Sequence, residues 1–139
     1  MAIDPARGEL RWASAGHREP LVLDPGSGEF IAISGAGIPL GVTPDTRYEE
    51  YTFTGLRRGH LVLLTTDGLW EAANSGGEQF GLDRLRRILH QHASQDANEI
   101  CTAMTMALLG FFGGEPQSDD LSFVLVKLIG DRAALPAGG

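Results

Sequence analysis

The segment His60 to Thr66 (HLVLLTT) most narrows what this chain can fold into. Leu61 to Leu64 are aliphatic without interruption, so a strand built from them is apolar on both faces. Such a strand needs hydrogen-bonded neighbours on either side and a cover above and below, which makes it the centre of a buried sheet. Asp67-Gly68 ends it, and the glycine lets the chain turn sharply so that the carboxylate sits at the sheet edge and not inside.

A second strand of the same kind closes the pattern. Leu121 to Leu128 (LSFVLVKL) is again strongly apolar, and Asp119-Asp120 precede it. The acids thus follow one strand and precede the other. If the two strands lie adjacent and antiparallel, about 5 Å apart, both acidic ends fall on one edge of the sheet. Carboxylates gathered there repel unless a cation lies between them. An oxygen-only donor set without clustered Cys or His suits a hard ion such as Mg²⁺ or Mn²⁺. Asp-Gly is also a common turn dipeptide and Asp often caps a loop, so spacing alone leaves both readings open.

The remaining elements follow from periodicity. Glu9 to Ala15 alternates, with Leu10, Trp12 and Ser14 on one face. Leu21 to Leu23 and Phe30 to Ile33 flank Asp24-Pro25-Gly26-Ser27-Gly28, a hairpin signal. A further strand is expected over Arg47 to Phe53, and Gly35 to Gly41 reads as a surface loop. A short helix is expected at Leu69 to Asn74. Phe80 to His92 places Leu82, Leu85, Ile88 and Leu89 on one helical face. Asp96 and Glu99 form a capping-box pattern before a helix striped by Ile100, Met104, Leu108 and Phe111, and Gly113-Gly114 stop it. Strands, two helices and a returning strand make an α+β fold: a mostly antiparallel sheet with helices packed on one face.

Charge and cysteine usage exclude several function classes. A net charge of −7 over 139 residues argues against a nucleic-acid binder, and Arg57-Arg58 and Arg84/Arg86/Arg87 read as solvated faces. Cys101 stands alone in an apolar helical pattern, so neither a disulfide framework nor a thiolate metal site exists. No apolar run has the length of a membrane span and the first residues lack signal-peptide character; the expectation is a soluble, cytoplasmic chain.

Five segments together resemble the SpoIIE-like branch of the metal-dependent (PPM, type 2C) serine/threonine protein phosphatases. They are Ala13 to His17 (ASAGH), Gly37 to Gly41 (GIPLG), Leu63 to Ala72 (LLTTDGLWEA), Glu78 to Gly81 (EQFG) and Ser118 to Ser122 (SDDLS). The resemblance covers Ile3 to Leu128 and implies part of an α-β-β-α phosphatase sandwich over residues 1–129, with 130–139 as a flexible tail. It implies a dinuclear Mn²⁺ or Mg²⁺ site with Asp67 and Asp119 as metal ligands and Asp120 as a supporting carboxylate. The implied reaction is hydrolysis of phosphoserine or phosphothreonine by a metal-bound water, with no protein nucleophile. The implied substrate is a phosphorylated anti-sigma-factor antagonist. His17 reads as a structural histidine near the site, Glu71 and Asn74 as helix and loop supports, and the Gly37 to Gly41 loop as a turn next to regulatory helices in related phosphatases.

The chain also departs from the family pattern. Nothing before Gly8 supplies the N-terminal acidic cluster that bridges both metals, so a fragment or a degenerate remnant is expected. Such a chain holds one ion weakly, is inactive or very weak alone, and self-associates through an exposed sheet. Arg18-Glu19 replaces a more apolar pair after His17, and His60 stands where an acid is more usual. The alternative to an enzyme is a non-catalytic phosphatase-like module that docks a regulatory partner through that sheet. An unrelated acidic-site hydrolase is disfavoured by the order of the five segments.

Overall fold

The computed structural model describes residues 1–113 and 121–129. Seven strands and three helices follow in order: β1 (Ala2–Asp4), β2 (Glu9–Trp12), β3 (Leu21–Asp24), β4 (Glu29–Ile31), β5 (Tyr51–Thr54), β6 (Leu61–Thr65), α1 (Gly68–Glu71), α2 (Leu82–His92), α3 (Ala97–Phe112) and β7 (Phe123–Lys127). The strands form two sheets, ordered β1-β2-β5 and β4-β3-β6-β7, and every named pairing is antiparallel.

The doubly apolar segment becomes β6, an inner strand of the larger sheet. Leu61 and Leu63 face the helices, packed with Leu85, Leu89, Ile100, Met104 and Leu108. Val62 faces the smaller sheet, packed with Leu10, Trp12 and Leu128. Alternation within one unbroken aliphatic run therefore feeds two cores, and burial of each such side chain stabilises by about 1.5–3 kcal/mol. The layers are helices, four-stranded sheet and three-stranded sheet: an α+β sandwich of the kind the family resemblance implies, with two sheets where periodicity alone gave one.

Local chemistry sets the element boundaries. In the β3–β4 hairpin the Asp24 side chain accepts from the Gly26 N–H at 2.8 Å, and the Gly28 N–H donates to the Asp24 carbonyl at 2.8 Å. The hairpin stops at Ile31, short of Ile33, because β3 begins after Pro20, which has no N–H to give. The strand expected over Arg47 to Phe53 is confined to Tyr51–Thr54, since β2 offers four partners from Glu9 to Trp12. α1 ends at Glu71, before Asn74, whose side-chain oxygen accepts from the Gly76 and Glu78 N–H groups at 3.0 Å each. Phe80 and Gly81 stay outside α2 because their N–H groups donate back to Ala72 and Trp70.

α3 carries the full capping box: the Asp96 carboxylate accepts from the Glu99 N–H, and the Glu99 carboxylate accepts from the Asp96 N–H, both at 2.9 Å. Gly113 closes it in the left-handed conformation, φ 63°. The corner between α2 and α3 is held from below by Lys127 of β7, whose ammonium donates to the carbonyls of Ala93 and Gln95. Residues 130–139, assigned to a tail from sequence, lie outside the described residues.

Candidate functional site

The site is built by the register of β6 against β7. Thr65 pairs with Phe123, and the Thr66 N–H donates to the Ser122 carbonyl at 3.0 Å, one step beyond the strands. The Thr66 hydroxyl adds a bond to the same carbonyl at 3.4 Å. The two strands are therefore adjacent and antiparallel, the condition that the sequence left open. The chain leaves β6 into Asp67 at the edge where it enters β7 through Leu121 and Ser122. Asp119 and Asp120 lie outside the described residues.

Asp67 is exposed and stands at the start of α1, with no cap hydrogen bond from its side chain. Leu69 and Trp70 of the same short helix are buried in the helix-side core, which anchors the turn that carries the carboxylate. Its ionic partner is Arg18, with Nε 3.4 Å from Asp67 Oδ1. The Arg18 guanidinium also lies over the Trp70 ring, 5.2 Å from its centroid. In the sequence Arg18 stands out as a departure from the family pattern and not as a site residue. Its sole signal was a cation directly after the Ala13 to His17 motif, and nothing in the spacing ties it to a residue so far along the chain.

His17 is exposed and serves its own segment. Its Nδ1 lies 2.9 Å from the Arg18 carbonyl, and the His17 carbonyl accepts from the Ser14 hydroxyl at 2.5 Å. The Gly37 to Gly41 loop rests on this stretch, with a β-carbon at Gly37 reaching 1.9 Å from the Ser14 carbonyl oxygen and one at Gly16 reaching 2.7 Å from Pro39. Asn74 organises the loop after α1 as expected, and Glu71 is exposed on α1.

A second polar cluster, missed from sequence as a cluster, lies at the opposite end of β6. His60 is 2% exposed, and its Nε2 lies 3.5 Å from Asp24 Oδ1. Burial pushes the His60 imidazolium down, against the pull of the Asp24 carboxylate, while Arg57 adds to the lowering. Asp24 is held below the usual carboxylate range, first by the hydrogen bond from Gly26. Burial raises the Cys101 thiol, in keeping with an unreactive side chain.

Among the described residues, no three His, Cys, Asp or Glu side chains gather around a common point that could hold a metal ion. A hard divalent ion takes about six or more oxygen ligands, and one exposed carboxylate paired with an arginine does not meet that demand. The described residues thus hold one candidate ligand and not a complete site. Among them, no helix is long and apolar enough to cross a membrane.

Known proteins share the sequence pattern and the fold of this chain. Phosphoserine phosphatase RsbU of Bacillus subtilis (strain 168) is 25% identical over 101 residues, which are 73% of this chain and 30% of RsbU. The SiaA-PP2C domain of Pseudomonas aeruginosa superposes with a TM-score of 0.70 at 27% identity, over 88% of this chain and 47% of that one. The phosphatase domain of the cell fate determinant SpoIIE from Bacillus subtilis, in a Mn-presoaked crystal, shares the fold with a TM-score of 0.66 at 14% identity, over 99% of this chain and 57% of that one. The chain therefore spans under two thirds of the length of each. The profile of the Stage II sporulation protein E (SpoIIE) family matches residues 1–129, and the chain belongs to that family.

Proposed function

We propose that the protein is the metal-ligand-bearing C-terminal portion of a protein serine/threonine phosphatase, hydrolysing phosphoserine or phosphothreonine with Mn²⁺ or Mg²⁺. The observation that carries this reading is the β6–β7 register, which brings the Asp67 end of one strand to the edge where Leu121 and Ser122 lead into the other. Asp67 and Asp119 are the metal ligands of this reading, and Asp120 supports them. The ion's part in such chemistry is to neutralise phosphoryl oxygens and lower the pKa of a water. The substrate is a phosphorylated anti-sigma-factor antagonist, and the cytoplasm is the compartment that follows from it.

Because Asp67 and Asp119 supply only part of a cage, the 139-residue chain alone is expected to bind Mn²⁺ weakly and to turn over a phosphoserine peptide near background. Calorimetric titration of manganese into the chain, Asp67→Asn and Asp119→Asn tests the ligands: each substitution is expected to weaken binding. Unaltered affinity in both removes the assignment. Robust manganese-dependent hydrolysis by the unaided chain contradicts the incomplete cage.

A second reading, a non-catalytic module docking a regulatory partner or a second copy through its sheet, draws on one observation. Val124 on β7 is 59% exposed and Ile129 just beyond it 80%, so apolar surface stays uncovered along this edge. A partner complex that survives both Asp→Asn substitutions and removal of manganese favours this module.

A further inference from the structure

Arg18 is held at the Asp67 edge by two contacts of different kinds. One is the ion pair, 3.4 Å from Nε to Asp67 Oδ1 with both side chains more than half exposed. The other is the stack on Trp70, whose indole is 8% exposed and packed into the helix-side core. An exposed ion pair is weak and exchanges readily for another anion. The stack does not depend on Asp67, and its platform is fixed by buried neighbours. A guanidinium also presents five N–H donors in one plane, a geometry matched to two phosphate oxygens at once.

We propose that Arg18 is the phosphoryl-binding residue of this site, with Asp67 as its resting partner. A phosphate dianion takes the place of the Asp67 carboxylate at the guanidinium, and the Trp70 indole keeps that group at the sheet edge during the exchange. No covalent bond changes in this step. The proposal rests on reading the Asp67 edge as the phosphatase site, and it gives Arg18 a role that the chain's departure from the family pattern makes its own.

Asp67 competes for Arg18 and repels a dianion, so Asp67→Asn strengthens phosphate binding in the absence of metal. The test is a titration of inorganic phosphate into the chelator-treated chain, following the arginine Nε–H resonance that Arg18→Gln removes and the Trp70 indole N–H resonance. Phosphate is expected to shift both resonances, and Asp67→Asn to tighten binding about three- to tenfold. Arg18→Gln is expected to abolish the Trp70 response, and Arg18→Lys to weaken it, since an ammonium lacks the planar fork. Equal affinity in Asp67→Asn and the parent chain overturns the proposal, as does a Trp70 response that survives Arg18→Gln. Both side chains are exposed, so folding is not at risk in these variants. Manganese affinity, measured separately, isolates the parent reading: no effect of Asp67→Asn there removes Asp67 as a ligand and leaves the phosphate result intact.

Discussion

At Gly37 the fold tolerates no side chain at all. A β-carbon there stands 1.9 Å from the Ser14 carbonyl oxygen, which belongs to backbone and cannot rotate away. Gly37→Ala must therefore push the Gly37 to Gly41 loop off the Ala13 to His17 segment, at a cost of about 1–3 kcal/mol by the usual scale for overpacking. Gly110 is the opposite case, a glycine within α3 whose β-carbon meets nothing within 4 Å. Gly110→Ala is expected to stabilise by about 0.5–1 kcal/mol through lost unfolded-state freedom. Urea unfolding of the two variants beside the parent chain checks both signs, and equal midpoints for all three would count against this account. Asp67 was legible as a candidate because a carboxylate and a glycine directly follow a strand of buried character. Its partner Arg18 was not, because ion pairs between exposed residues distant in sequence leave no periodic trace.

At the scale of elements, β6 shows how much a pattern can carry and where it stops. The uninterrupted Leu61 to Leu64 run foretold an inner strand with two covered faces, while its pairing with the segment after Asp119-Asp120 stayed a condition that apolar character alone does not decide and the register supplies. The capping box of α3 was equally readable, since it is encoded within four residues. Boundaries were less so: β5 is short because β2 is short, a fact that lives in the partner strand. His60 illustrates the same limit. It sits buried just before β6, where the hairpin Asp24 at Nε2 and the Arg57 N–H at Nδ1 partner its ring. Since burial lowers its pKa in the folded chain, the unfolded chain binds the extra proton first as pH falls. Stability is then level above the unfolded value, about 6.5, and declines as pH drops below it towards the folded value. Urea unfolding at about pH 7.5 and about pH 5.5 is expected to show a loss in the parent chain that His60→Gln largely removes. Equal losses in both proteins would discard His60 as the source, and staying above pH 5 keeps the Asp24 carboxylate, held low by Gly26, out of the comparison.

At the scale of the whole molecule, the four-stranded sheet is the shared wall of two cores. Its helix side holds Leu61 and Leu63, and its other side holds Val22 and Val62 beneath the three-stranded sheet. Among the described residues, both buried clusters lie against this sheet, so removing one cover exposes a face of the wall that the other shares. Three layers around one shared sheet predict a single cooperative transition and not a sequential loss of the smaller sheet. The two tryptophans report the layers separately: Trp12 lies between the sheets, and Trp70 lies among the helices. Trp70→Phe leaves a reporter of the core between the sheets and Trp12→Phe a reporter of the helix-side core. Scaled to each variant's own stability by circular dichroism, the two fluorescence transitions are expected to coincide with loss of secondary structure. A Trp12 signal that melts ahead of the helical signal would show the β1-β2-β5 sheet parting first. That result would mean Val62 and Leu128 bind the smaller sheet too weakly to make the sandwich one unit, and the Asp67 edge would then depend on the larger sheet and its helices alone.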